Sequence, residues 1–267
     1  MSAADTTDTI VLIERDCAVA TLTLNRPDRL NALNNALLTG LRDAMQELAG
    51  DDSVHAVIVT GAGRAFCAGA DLSDMSQVNT RDLNDPSRAQ TRSVFDDLEE
   101  AFESFPKSLI AAVNGLGVGF GFTLLGYCDH VFLAEGARLR TPFSQLGLCP
   151  EASASYTFPM RMGWAEASRA LLMGEWFTAQ DVVASGLGQE VVALDALLET
   201  ARAFARKYEQ CPLQSLKATK ALMLAAHLPH IRKAREAENA KMRELLGTPA
   251  NKQALADFAS RQGKGRT

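Results

Sequence analysis

The chain has 267 residues, 47% of them hydrophobic and 22% charged, with a net charge of −5 at pH 7. That size and mix suit one large domain or two small ones around a real core, and exclude a disordered, collagen-like or disulfide-framework protein. The acidic balance argues against a general nucleic-acid binder, and no apolar run of about 18 residues suggests a membrane span.

Ile10–Glu14 and Val19–Leu24 read as a strand hairpin, with Thr21-Leu22-Thr23-Leu24 alternating at period two. Asn25-Arg26-Pro27-Asp28-Arg29 is a turn. Asn34–Leu48 is a helix, with Leu37, Leu38, Leu41, Met45 and Leu48 at helical spacing and Gly50 past its end. Val54–Thr60 is a short apolar strand, Arg88–Phe105 a helix stopped by Pro106, and Leu109–Val113 a buried strand. A glycine-rich turn then leads to a short helix at Phe120–Tyr127 and a strand at Val131–Ala134. Beyond Ala152 the pattern is helical around 165–173, 195–208, 213–225, 230–246 and 249–259, with one short strand near Gln189–Val192. The expected fold class is therefore α/β, with a core over residues 1–194 and a helical region over 195–267 that serves as a subdomain or an oligomerisation arm.

The N-terminus, Met1-Ser2-Ala3-Ala4-Asp5, lacks the basic start and apolar core of a secretory signal. The five cysteines (Cys17, Cys67, Cys128, Cys149 and Cys211) are scattered without a CxxC pair and read as reduced thiols. Both features point to a cytoplasmic protein. Residues 201–267 carry 14 Lys and Arg against 5 Asp and Glu. This basic tail is either a set of solvated helix faces or a partner for a phosphate group.

Several chemistries fail on spacing. Gly115-Leu116-Gly117-Val118-Gly119-Phe120-Gly121 lacks the glycine that a dinucleotide fingerprint needs three positions after its second one. There is no phosphate loop of the G-x-x-x-x-G-K-[ST] type and no G-x-S-x-G elbow. His55, His130, His227 and His230 lack HExxH spacing and cysteine neighbours, so no metal site is expected.

Two strand-to-glycine-loop segments remain. One runs from Val57–Gly61 through Ala65-Phe66-Cys67-Ala68-Gly69-Ala70-Asp71-Leu72, the other from Leu109–Val113 through Asn114-Gly115 to Gly119-Phe120-Gly121. Small residues let a ligand approach the backbone. A helix opening just after the second loop offers unpartnered N–H groups to an oxygen that gains negative charge. A third element is Glu151, after Pro150 and before the small residues that open a helix. It is either a first-turn glutamate favoured by the helix dipole or a desolvated general base among Phe143, Leu146, Leu148, Cys149 and Phe158.

Together these segments resemble the crotonase, or enoyl-CoA hydratase/isomerase, superfamily. The resemblance rests on Asn25-Arg26-Pro27 with Leu30-Asn31-Ala32-Leu33, Ala65–Leu72, Ile110–Gly115, Cys128-Asp129 and the stretch from Ala179 to Gly186-Leu187, in that order along nearly the whole chain. It implies a spiral of ββα repeats with a helical C-terminal trimerisation part, a homotrimer or hexamer, and acyl-CoA thioester ligands. CoA enters as part of the substrate, and no other cofactor is implied. An enolate would be held by the N–H groups of Ala70 and Phe120. The resemblance also places the ligand against Arg29, Leu30, Ala68, Gly69, Asp71, Leu72 and Gly119, and the acyl chain along 73–105.

Hydratases of the superfamily carry two glutamates, at positions filled here by Thr123 and Phe143. Those two residues are therefore expected to line the substrate site without ionising. The run Thr141-Pro142-Phe143-Ser144, Gly147, Pro150-Glu151 and Ser155-Tyr156-Thr157-Phe158-Pro159 resembles instead the peroxisomal-type Δ3,Δ2-enoyl-CoA isomerases, in which one glutamate at the place of Glu151 is the catalytic base. Hydration, another isomerisation of an acyl-CoA within the superfamily, and acyl-CoA binding without turnover remain the alternatives. The tail Gly263-Lys264-Gly265-Arg266-Thr267 is not a peroxisomal address.

Overall fold

The structure, a computed structural model, describes residues 9–71 and 93–264. Its centre is a six-stranded sheet in the order β1-β2-β3-β5-β7-β10, built from β1 (Val11–Asp16), β2 (Val19–Leu24), β3 (Ala56–Gly61), β5 (Ser108–Val113), β7 (His130–Ala134) and β10 (Glu190–Val192). Only the β1–β2 pair is antiparallel; the other neighbours run parallel. A parallel strand covered on both faces reads as a continuous apolar run. β5 accordingly is buried at all six positions.

Period-two alternation divides those residues between two cores. Val57, Val59, Leu109, Ala111, Val113, Val131 and Leu133 face the main one, with α1 (Asn35–Gly50). Ile58, Ile110, Ala112 and Phe132 face a second, smaller core closed by Leu197, Ala201 and Ala205 of α6 (Leu197–Ala205). The first helix of the C-terminal region thus covers the reverse face of the central sheet.

A second, four-stranded sheet has the order β4-β6-β8-β9, from β4 (Ala65–Cys67), β6 (Leu116–Val118), β8 (Arg138–Arg140) and β9 (Phe177–Thr178). The pairs β3/β4, β5/β6 and β7/β8 each give their first strand to the large sheet and their second to the small one. This is the ββ part of the expected ββα spiral. The small sheet is the chief departure from the sequence reading, which took 116–118 as part of a turn and allowed a single strand after Ala152. Strands of two or three residues are too short to show an alternation.

Among the described residues the α-helices are α1, α2 (Val94–Glu103), α3 (Phe120–Thr123), α4 (Ala154–Ser168), α5 (Ala179–Ala184), α6, α7 (Leu213–Ala225), α8 (Leu228–Leu245) and α9 (Pro249–Lys264). α1 starts where Asn34 accepts the Leu37 N–H at 2.9 Å. α2 starts at a capping box in which Ser93 and Asp96 exchange hydrogen bonds, later than the expected start at Arg88, which lies outside the described residues. Cys17, Cys67, Cys128, Cys149 and Cys211 are all free thiols. Among the described residues no helix is long and apolar enough to cross a membrane.

Candidate active site

Three loops meet at one end of the small sheet. The first leaves β4. Leu33 forms an isolated bridge to Ala70, in which the Leu33 N–H donates to the Gly69 carbonyl at 2.8 Å and the Asp71 N–H to the Leu33 carbonyl at 3.0 Å. The amide between them, that of Ala70, faces the other way and has no partner among the described residues. Asn31 braces the loop from behind. Its side-chain oxygen accepts the Arg26 N–H at 2.8 Å, and its amide donates to the carbonyls of Ala62 and Ala65 at 3.0 and 2.8 Å. Arg26 also reaches Asp71 at 3.6 Å.

The second loop leaves β6. Gly119 has φ 55° and ψ −119°, a combination that a side chain would strain. It starts α3, so the Phe120 N–H has no helical acceptor. The two loops touch through their main chains: a Cβ on Gly69 would lie 2.6 Å from the Val118 carbonyl oxygen, and one on Gly121 only 2.1 Å from that of Cys67. The Phe120 ring is buried, with Phe95 and Phe102 of α2 edge-on to it at 5.4 and 6.0 Å.

The third loop carries Glu151, whose carboxyl lies beside the Phe120 amide. A Cβ on Gly119 would lie 3.6 Å from Glu151 Oε1. The acid is half-buried. Burial pushes its pKa up to about 7, the charge of Glu238 adds to the rise, and the Phe120 amide pulls the other way. The carboxylate therefore stands beside the paired glycine loops, poised to take or give a proton near neutrality.

The other expected site residues are placed as follows. Ala68 donates its N–H to the Leu30 carbonyl at 3.0 Å, so the Arg29-Leu30 turn lies against the first loop, with Arg29 exposed. Leu72 lies outside the described residues, as does 73–92 of the expected acyl wall. Thr123 is fully buried and its hydroxyl bonds back to the Gly119 carbonyl at 3.3 Å. Phe143 is buried with Leu146 and Leu148 in an apolar cluster against Met242 and Leu245 of α8, Leu246 just past its end, and Leu255 and Phe258 of α9. Three of the apolar neighbours expected around Glu151 thus belong to a core of their own. Cys67, next to the first loop, is no nucleophile, because burial pushes its thiol up to about 12.

Sequence reasoning missed two carboxyls beside Glu151, Glu99 on α2 and Glu238 on α8. Both are buried, at 0% and 5% exposure. A signal was present. Phe95, Leu98, Glu99 and Phe102 share one helical stripe, as do Ile231, Glu238, Met242 and Leu245, and a glutamate inside an apolar stripe is rarely solvated.

The sequence model of the enoyl-CoA hydratase/isomerase family matches residues 14–264. The chain belongs to that family. It is 31% identical to enoyl-CoA delta isomerase 2 of Rattus norvegicus over 254 residues, 95% of this chain and 64% of that protein. It is 37% identical to 2,3-dehydroadipyl-CoA hydratase of Escherichia coli over 210 residues, 79% of this chain and 80% of that one. Among solved structures, Pseudomonas aeruginosa OdaA matches with a TM-score of 0.85 at 32% identity, covering 93% of this chain and 98% of that one. The crotonase fold and a family whose members act on acyl-CoA thioesters are thereby established. Relatives named for isomerisation and for hydration stand side by side.

Proposed function

We propose that the protein is a Δ3,Δ2-enoyl-CoA isomerase with Glu151 as its base. The observation that carries this reading is the Glu151 carboxyl, its proton affinity raised toward neutrality by burial, seated at the junction of the Gly69 and Gly119 loops. The positions at which the superfamily's hydratases carry glutamates hold a back-bonded threonine and a phenylalanine in an apolar core.

The chemistry follows from the groups in place. The thioester carbonyl takes the N–H groups of Ala70 and Phe120. Glu151 removes the proton from C2, the electron pair moves into the carbonyl, and the enolate charge rests on the two amides. The same carboxyl then returns the proton at C4, leaving the double bond between C2 and C3. No water enters and no electron leaves. A C2 proton is far less acidic than a carboxylic acid, so the amides supply most of the stabilisation. One such donor is worth about 2.7–4 kcal/mol, and a positioned base about 10²–10⁴-fold.

The Phe120 amide beside Glu151 also favours its charged form. When that amide turns to the substrate carbonyl the support weakens, and the affinity of Glu151 for a proton rises as it meets the C2 hydrogen.

The test is to offer 3-enoyl-CoA and 2-enoyl-CoA separately. Conversion of the first to trans-2-enoyl-CoA, lost in Glu151→Gln, is expected. Rapid conversion of the second to 3-hydroxyacyl-CoA overturns the proposal in favour of hydration. Tight acyl-CoA binding without turnover of either overturns it in favour of a binding module.

A further inference from the structure

The turn that carries Glu151 is held by two buried carboxyls with no part in the proton shuttle. Ala152 and Ser153 have φ of 58° and 55°. Consecutive left-handed residues with side chains cost about 1–2 kcal/mol each, and they persist where the surroundings over-determine them.

From α2, Glu99 accepts the Ala152 N–H on Oε1 at 2.8 Å and the Asn239 amide on Oε2 at 3.1 Å. From α8, Glu238 accepts the Ser155 N–H on Oε1 at 2.7 Å, while its buried Oε2 has no hydrogen-bond partner among the described residues. Between them, Tyr127 donates to Ser153 Oγ at 3.1 Å, and Ser153 donates to the Ile231 carbonyl at 3.0 Å.

We propose that Glu99 and Glu238 are positioning residues for the base: Glu99 fixes the left-handed turn that aims Glu151 at the loop junction, and Glu238, held on the Ser155 N–H four residues on, keeps a second buried carboxyl beside Glu151 that tunes it. The proposal rests on the reading of Glu151 as the base.

The charged and titratable neighbours favour this division. The nearby guanidinium groups, Arg232 and Arg235, pair with Glu103, and Asn239 also serves Asp96. Lys241 is an exposed partner of Glu244. On the side of the Glu151 loop, Cys149 lies against the α8 backbone, its thiol within 3.6 Å of the Glu238 carbonyl. The Tyr127 hydroxyl is pushed well above its usual range, chiefly by burial, and stays neutral. Like-charge repulsion thus runs among three carboxyls. Glu238 raises Glu151, and Glu99 feels both and is pushed by burial up to about 8. Burial raises Glu238 as well, so the three carboxyls titrate as a coupled set.

The test uses the full-length protein and two readouts. Carboxyl-carbon NMR follows the titration of Glu151, identified by the resonance missing from Glu151→Gln. Steady-state kinetics on 3-enoyl-CoA gives kcat and KM. Glutamine keeps one acceptor oxygen, so without charge it can still take the Ala152 N–H at position 99 or the Ser155 N–H at position 238, while giving up the Asn239 contact of Glu99. Glu238→Gln is expected to move the Glu151 midpoint to lower pH. Glu99→Gln is expected to leave midpoint and kcat near wild type, whereas Glu99→Ala loses about 10²-fold in kcat through misaim of the base, with KM little changed.

A Glu151 midpoint unmoved in folded Glu238→Gln overturns the tuning role, and wild-type kcat in folded Glu99→Ala overturns the aiming role. Should Glu99→Ala fail to fold, Glu99→Asp replaces it, since the shorter side chain draws the carboxyl back from the Ala152 N–H, and wild-type kcat in that folded variant overturns the role equally. The NMR readout does not depend on catalysis. A shifted midpoint in a protein that isomerises nothing therefore supports the tuning role while overturning the proposed function.

Discussion

Gly119→Ala is the cleanest probe of the anion grip, because it leaves Glu151 and every side chain around it in place. A Cβ at Gly119 would lie 3.6 Å from Glu151 Oε1 and 3.9 Å from Gly69 Cα, ordinary contact distances. Space is therefore not the obstacle. The obstacle is φ 55° with ψ −119°, a conformation that costs an alanine about 1–3 kcal/mol. For a chain of this size that is a fall in Tm of about 2–4 °C per kcal/mol. If the backbone relaxes to escape the strain, the Phe120 N–H turns away from the substrate oxygen. Losing one such donor costs about 2.7–4 kcal/mol, or about 10²–10³ in kcat. Gly69→Ala is a poorer probe, since its Cβ would stand 2.6 Å from the Val118 carbonyl oxygen and force main chain against main chain. Thermal unfolding and initial rates on 3-enoyl-CoA measure the two effects separately. A folded Gly119→Ala whose Tm is not lowered, so that the backbone has relaxed, and whose kcat is undiminished would show that the Phe120 amide does not stabilise the transition state.

Glu151→Gln is expected to lower kcat by about 10²–10⁴-fold while acyl-CoA binding, read by calorimetry, stays close to wild type. The base must be ionised to act, so kcat/KM should fall as pH drops through about 7, the proton affinity of Glu151 in the free enzyme. The acid limb of kcat should lie higher, since bound substrate takes the Phe120 amide; coincident limbs would refute that competition. Buried carboxyls also tie stability to pH. Glu99 rises from 4.5 to about 8 on folding, so between those values the native state binds more protons than the unfolded chain. Stability should be greatest near or below pH 4.5 as far as this group is concerned, and decline as pH rises toward 8; Glu99→Gln should flatten that decline in denaturant titrations. Trp164, Leu172 and Met173 are 77%, 69% and 58% exposed. The self-association expected of the superfamily should bury such a surface, and Trp164→Asp is then expected to shift the mass found by light scattering toward the monomer.

Helices with a regular apolar spacing were legible in the sequence: 213–225 lies where the pattern puts it, and the buried strand at Leu109–Val113 differs by one residue. Glu151 was legible because a proline before it and small residues after it mark a helix entrance. The four-stranded sheet was not, since its strands are stabilised by neighbours distant in sequence rather than by a local pattern. Phe143, Leu146 and Leu148 misled for a related reason. They are close to Glu151 along the chain, but their apolar partners sit on α8 and α9, about a hundred residues on. Glu99 and Glu238 lie 52 and 87 positions from Glu151, and sequence distance hides carboxyls that tertiary packing brings together.

The closeness of Gly121 to the Cys67 carbonyl has one more consequence. The spacing between the Ala70 and Phe120 hydrogens is set by peptide planes leaning on one another, not by rotamers. Under the proposed function, residues along the expected acyl path can therefore be exchanged to admit longer, branched or ring-bearing chains without loosening the hold on the sulfur-bound carbonyl. An engineer seeking altered chain preference should spare Glu99, Phe95 and Phe102 of α2 and leave that backbone seam untouched.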